Sequence, residues 1–279
     1  MGGEKAGFET VGFKTVGFKT VDLDRIRQAT GVVSLEYHPQ LPSTNTRALA
    51  WAEGDSLTLP ALVLTDLQTA GRGRGDHRWW AAPGALTFSL IVPGLADREG
   101  TPWSRIALTA GLAVGHALQQ LQPGLPVGLK WPNDVYVSGR KICGILVEVP
   151  PRRNDRLVVG MGLNVNNSMQ QAPPEVANSA ISLRDLAGYS FPLPTVLIRV
   201  LCQFLGHFEA LKQGDLAAAD RSLASQWHEW CMLTGLRVRV ETGRRVVEGT
   251  CTGIADSGAL LLDTPQGQEQ CLSGTVTVI

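Results

Sequence analysis

Residues 60–66, PALVLTD, form a brief apolar run bounded by Pro60 and a polar loop, the pattern of a buried strand. In GALTFSLIV, residues 84–92, Leu86, Phe88, Leu90 and Val92 alternate with Thr87 and Ser89, which predicts a half-buried strand. The period then changes to that of a helix. Over residues 103–121, Ile106, Ala110, Ala113, Val114, Ala117 and Leu121 share one stripe, so an amphipathic helix should cover one face of the sheet. A shorter helix is predicted in STNTRALAWAEG, capped near Ser43 and ended at Gly54. The segment GLKWPNDVYVSGRKICGILVEV reads as a strand ending at Lys130, a turn over 131–134 and a hairpin tipped by Ser138 and Gly139. RLVVGMGLNV, residues 156–165, is a further apolar strand whose glycines let something approach its backbone. Two more amphipathic helices are predicted over 193–212 and 215–231.

From Leu236 the runs shorten and are split by TG, DSG and PQG turns, which predicts a small β-barrel. The N-terminus instead repeats a five-residue unit, GFETVGFKTVGFKTV, from Gly7 to Val21. That period is too short for a solenoid unit and carries few large apolar residues, so residues 1–30 are expected to be a disordered arm. An edge strand displaying Phe8, Phe13 and Phe18 is the alternative. The expected organisation is therefore an arm, a catalytic domain over 31–232 and the barrel over 233–279.

Composition narrows the function. The chain has 279 residues, with 25 Lys and Arg against 25 Asp and Glu, so no global field favours bulk nucleic-acid or membrane-surface binding. Five dispersed cysteines without a CxxC pair argue against a disulfide framework and a zinc knuckle, and read as reduced core thiols. No apolar run has the length of a membrane span, and no secretory signal is legible. A cytoplasmic enzyme fits these features.

Against this neutral background, TDLQTAGRGRGDHRWW, residues 65–80, concentrates Arg72, Arg74 and Arg78 among Gly71, Gly73 and Gly75. A solvated basic turn or a fragment of an RGG segment would have that composition. RGG segments repeat in disordered tracts, however, and this stretch occurs once between two predicted strands. Its exposed backbone N–H groups and forked guanidinium donors suit a local clamp for phosphate or carboxylate. Lys130, before Trp131 and Pro132, is either plain surface or a partly desolvated partner for an oxyanion. Arg140 and Lys141 read as solvated turn residues. Ser43, Thr44 and Asn45 either cap a helix or grip a polar ligand, and Gln68 has the same two readings. Gly160 and Gly162 lack the third glycine and following helix of a dinucleotide fingerprint, and no phosphate loop, HExxH or GxSxG is found.

In order, STN, QTAGRGR with a following tryptophan, KWPND, RK-x-x-GILVE and G-x-G-x-N resemble the motifs of the biotin-protein ligases. The resemblance extends over about residues 35–279, because WHEWCMLTGLRVRV and GIADSGALLL are similar to that family's C-terminal barrel. It implies an α+β chain: a mixed β-sheet catalytic domain of the class II aminoacyl-tRNA synthetase-like, biotin-lipoate ligase fold, followed by a small SH3-like β-barrel. It also implies a two-step reaction. Biotin and ATP give biotinyl-5'-AMP and pyrophosphate, and a lysine of a biotin carboxyl carrier domain then takes the biotinyl group.

By the same resemblance, Ser43, Thr44, Asn45 and Gln68 hold the biotin head, while Arg72, Gly73, Arg74 and Lys130 serve the carboxylate and phosphate. Arg72, Arg74 and Lys130 are the catalytic candidates. Gly144 and Gly162 leave room for biotin beside the sheet, and Arg74, Trp79, Asn133 and Asn164 fall on the ATP side. Magnesium accompanies ATP, with ligands unassigned. The family loop continues GRGR-x-GR-x-W, whereas this chain has GRGRGDHRWW, so Gly75, Asp76 and His77 replace part of that run. The expected type is monofunctional, without the DNA-binding domain, and a homodimer is possible. A lipoate ligase or lipoyl transferase of the same superfamily is the alternative, and a nucleic-acid-binding regulator a more distant one.

Overall fold

The computed structural model describes residues 17–94, 103–213, 224–243, 245–255 and 257–279. Its larger sheet has the order β1-β2-β3-β7-β6-β5-β4. These strands are β1 (Ser34–Leu41), β2 (Ala61–Gln68), β3 (Leu86–Pro93), β4 (Val127–Lys130), β5 (Asp134–Val137), β6 (Arg140–Glu148) and β7 (Arg156–Leu163). Only β1 and β2 run parallel, joined through α2 (Thr44–Ala52); every other neighbouring pair is antiparallel. The second sheet is antiparallel, in the order β11-β10-β9-β8-β12. It comprises β8 (Arg237–Thr242), β9 (Arg245–Ile254), β10 (Leu260–Thr264), β11 (Gly267–Cys271) and β12 (Thr275–Val278).

The main sheet is covered on both faces, and the alternation along its strands assigns each. Leu62, Leu64, Phe88, Leu90 and Val159 belong to the large core shared with α3 (Trp103–Leu121) and α6 (Leu193–Gln213). The intervening Ala61, Val63, Ile91 and Val158 pack with Ala48 and Ala52 of α2. Those two alanines let the short helix lie close to the strands, placing its N-terminus over β3 and β7. The expected half-buried β3 is therefore buried on both sides, because α2 covers the face that carries Thr87 and Ser89.

Where α3 meets α6, His116 Nδ1 lies 3.2 Å from His207 Nε2. Burial holds both imidazoles below their ordinary pKa, and each ring's proximity to the other adds to the effect at His207. An unfolded histidine takes its proton at about pH 6.5. As pH falls through that value the unfolded chain gains protons that the folded pair resists, so stability is expected to fall. Melting curves at pH 7.5 and 5.5 should show this loss, reduced in His207→Gln; equal slopes in the two proteins would contradict it.

The expectation for residues 1–30 needs correction. Residues 1–16 lie outside the described residues, but Thr20–Thr30 form helix α1, ended by Gly31 in the left-handed region at φ 70°. Ile26 is fully buried and α1 packs on α6, while Phe18, from the third repeat, packs against Tyr37. The helical spacing of Leu23 and Ile26 follows the repeat directly and was absorbed into it. Strand β1 was not predicted, nor were the short helices α4 (Pro174–Ala177) and α5 (Leu183–Ala187) and the 3-10 turn Met169–Gln171. Residues 224–230 are helical (α7) and Cys231 forms an isolated bridge with Leu129; residues 215–223 of the predicted helix lie outside the described residues. All five cysteines are unpaired; Cys143, Cys251 and Cys271 lie in the core as expected, whereas Cys231 is half-buried and Cys202 exposed.

Candidate active site

The arginine loop is an ordered tongue between β2 and β3. Gly73 N–H donates to His77 O (2.8 Å), His77 N–H to Arg74 O (3.1 Å) and Trp79 N–H to Gly71 O (3.0 Å). Two glycines are required by this geometry. Gly75 turns the tip at φ 55°, and a Cβ on Gly71 would stand 2.5 Å from Trp79 O.

The tongue roofs a cavity of about 740 Å³. Its walls include Ser43, Thr44 and Asn45 from the start of α2, Gln68 from β2, and Arg72, Gly73, Arg74 and Trp79 from the tongue. Lys130, Asn133, Gly144 and Gly162 also line it. Asn164 alone among the sequence-derived candidates is elsewhere. It is 2% exposed, and its Oδ1 accepts from Asn167 Nδ2 at 2.9 Å, so it braces the turn after β7.

A continuous polar chain supports the wall at α2. Gln68 Oε1 accepts from Thr44 N–H at 2.8 Å and lies 3.1 Å from Thr44 Oγ1. Thr44 Oγ1 is 2.8 Å from Ser89 Oγ, which is 2.5 Å from Asn45 Oδ1. Asn45 Nδ2 then donates to Leu146 O and to Glu148 Oε2, at 3.1 and 2.8 Å. Glu148 receives both terminal nitrogens of Arg72, at 3.0 and 2.7 Å. The crowded arginines are thus partly neutralised within the protein itself. Ser43 caps α2, its Oγ accepting from Thr46 N–H. Ser43 thus caps the helix, and all three residues of STN line the cavity.

The opposite wall is charged too. Arg74 reaches across to the second sheet, Nη1 and Nη2 each lying 3.2 Å from Gly274 O, with Asn133 Oδ1 3.4 Å from Nη1. Burial lowers the Arg74 pKa, opposed by the charge of Asp134. Lys141 Nζ is 2.7 Å from Asp134 Oδ1 and lines the cavity, so it is not the solvated turn residue expected. The register slips between Val135 and Tyr136, and such a bulge breaks the alternation from which a side chain's facing is read. Lys141 is also the lysine beside the glycine floor: a Cβ added to Gly144 would meet its Cε at 3.3 Å and its Nζ at 3.4 Å.

Three glycines let larger side chains lie against this floor. A Cβ on Gly160 would overlap Asn45, one on Gly162 would overlap the Trp79 ring, and one on Gly144 would meet Trp79 Cζ3 at 3.3 Å. Trp79 therefore lies flat over the strands, with its buried indole N–H lacking a partner among the described residues. Sequence reasoning missed Ser89, Glu148, Asp134 and Gly160, and also the contribution of the second sheet. Glu241, Thr242 and Ser273–Val276 complete the cavity wall. Trp131, 1% exposed, ties the two parts together by donating from Nε1 to Gly258 O at 3.1 Å.

Known proteins with these features place the chain. The biotin/lipoate A/B protein ligase family matches residues 37–166, and the biotin protein ligase C-terminal domain matches 234–278. A biotin--[acetyl-CoA-carboxylase] ligase of Mycobacterium tuberculosis is 35% identical over 241 residues, covering 85% of this chain and 86% of that protein. The chain belongs to the biotin protein ligase family. The bifunctional ligase/repressor BirA of Bacillus subtilis is 30% identical over 245 residues, covering 87% of this chain and 73% of that protein. A solved biotin protein ligase from Aquifex aeolicus, in complex with biotin and ATP, superposes with a TM-score of 0.76 at 27% identity. That match covers 88% of this chain and 99% of the other. The α+β fold, with its mixed catalytic sheet and small SH3-like C-terminal unit, is that of these ligases.

Proposed function

We propose that the cavity under the arginine tongue is where this ATP-dependent biotin-protein ligase activates biotin and then passes it to a carrier lysine. The observation that carries the assignment is the convergence of Arg72, Arg74, Lys130 and Lys141 on one glycine-floored cavity. The biotin carboxylate and the α-phosphate of ATP are both anions and repel each other in water. Fixed cations offset that repulsion and hold the pair at reacting distance. A carboxylate oxygen then attacks the α-phosphorus, and pyrophosphate leaves. In the second step a neutral lysine amine of the acceptor attacks the acyl carbon, forming the amide as AMP leaves and the nitrogen loses a proton.

In this reading Thr44, Asn45 and Gln68 meet the biotin head through the polar wall, with Ser43 beside them. Gly144 and Gly162 let Trp79, and Gly160 lets Asn45, lie against the strands, which leaves the cavity depth for biotin's rings. Lys141, beside that floor, is assigned the carboxylate together with Arg72, Gly73 and Arg74, and Lys130 supplies a second cation. Arg74, Asn133 and Trp79 take the nucleotide side, and the tongue excludes water from the mixed anhydride. The partition into a catalytic unit ending near residue 232 and a C-terminal unit from 233 belongs to the same proposal. Arg74 and Trp131 argue that the two work together.

Mg2+ enters this proposal on the ATP phosphates. No group of three or more His, Cys, Asp or Glu residues suited to a metal occurs among the described residues. Asp76, Asp134 and Glu241 are separate carboxylates at the cavity wall, so an ion held there would take most of its ligands from phosphate and water. The partners proposed are a biotin carboxyl carrier domain and, through an exposed sheet edge, a second copy; DNA and membrane have no part. No helix among the described residues is long and apolar enough to cross a membrane, and a cytoplasmic location is proposed. Incubation with labelled biotin, MgATP and a carrier domain should label the carrier at one lysine. An unlabelled carrier would overturn the proposal.

A further inference from the structure

Glu148 closes the RK-x-x-GILVE motif, and nothing above gives it a part in the reaction. We infer that Glu148 is a positioning residue for adenylation: it fixes the guanidinium of Arg72 and the amide of Asn45 against the cavity. The inference rests on the biotin-activating reading of that site.

Three hydrogen bonds converge on this one carboxylate. Arg72 Nη1 donates to Oε1 at 3.0 Å, while Arg72 Nη2 and Asn45 Nδ2 donate to Oε2 at 2.7 and 2.8 Å. Arg72 comes from a glycine-rich tongue and Glu148 from the end of a central strand, 76 residues away. A bidentate pair sets direction as well as distance. It therefore ties the most adaptable part of the site to its most rigid part. A guanidinium has five N–H groups. Two are spent on Glu148, and three remain for a ligand anion. Glu148 itself is not at the cavity wall, so it acts through Arg72 and Asn45 rather than by touching substrate.

Charge points the same way. Five arginines and lysines line this cavity, and Glu148 neutralises one as Asp134 neutralises another. Without Glu148, Arg72 is repelled by its neighbours and the tongue loses its tie to β6. The Asn45 amide is then held only by Leu146 O and Ser89. The result is a disordered binding geometry, not a missing chemical group.

The test uses Glu148→Gln, which keeps the volume and an acceptor oxygen but removes the charge. In biotin-dependent pyrophosphate exchange, its KM for biotin should rise about tenfold while kcat stays within about threefold. The effect should nearly vanish in an Arg72→Ala background, because the amide oxygen kept in Glu148→Gln still accepts from Asn45, and the lost charge acts through Arg72. Glu148→Asp, retaining the charge, should recover part of the KM. An unchanged KM in Glu148→Gln, or the same factor with and without Arg72, would overturn the inference. A wild-type chain unable to activate biotin would overturn the biotin reading and this inference together. Normal wild-type exchange with an unaffected Glu148→Gln would overturn this inference alone.

Discussion

Lys141→Ala is expected to slow formation of the biotinyl adenylate about a hundredfold or more, the usual loss when a fixed donor to a developing oxyanion is removed. The ammonium stands beside the glycine floor and is held 2.7 Å from Asp134 Oδ1, so it is oriented before ligand arrives. It needs little rearrangement as charge builds between carboxylate and α-phosphate. Single-turnover adenylation with saturating biotin and ATP measures this step apart from transfer. Lys130→Ala should lose less, because Lys130 shares the cavity but is not the lysine found against Gly144. A larger loss at Lys130 than at Lys141 would reverse the two assignments.

Arg74→Ala is expected to release the adenylate at least about tenfold faster, with a much smaller effect on the ligand-free protein. Arg74 pins the tongue tip to Gly274 O and Asn133, joining the roof of the cavity to the second sheet. Those contacts close the roof but add little to either core. Their loss should cost about 1 kcal/mol or less of apo stability, the scale of a few partly solvated hydrogen bonds. Adenylate dissociation followed by rapid dilution, beside a melting curve of the apo protein, separates the two effects. Equal retention of adenylate, or a melting loss as severe as that of a core truncation, would count against Arg74 as the tongue's anchor.

Most of the sheet was legible because its strands are short apolar or alternating runs bounded by turn residues, and α3 and α6 because a wide stripe repeats at helical period. What escaped was set by contacts between distant segments. Ser89 alternates with Phe88 and Leu90 like a solvent-facing residue; only the cover supplied by α2 turns that face into a buried polar wall. Lys141 sits beside a bulge, where alternation no longer predicts facing. Glu148 looks like an ordinary charged strand end until the tongue, 76 residues earlier, brings Arg72 to it. Asn164 differs in the opposite sense: the motif draws it towards the site, while its amide accepts from Asn167 and it does not line the cavity. Motif order pointed to the family, and the proposed roles rest on the side-chain geometry.

The central claim is that this cavity makes and retains a biotinyl adenylate. Incubating the full chain with biotin and MgATP, without acceptor, and identifying the tightly held small molecule by mass spectrometry tests it most directly. The account predicts about one equivalent of biotinyl-5'-AMP per chain, unaffected by excess lipoate and formed far more slowly in Lys141→Ala. Recovery of no adenylate, or of a lipoyl adenylate when both acids are offered, would contradict it.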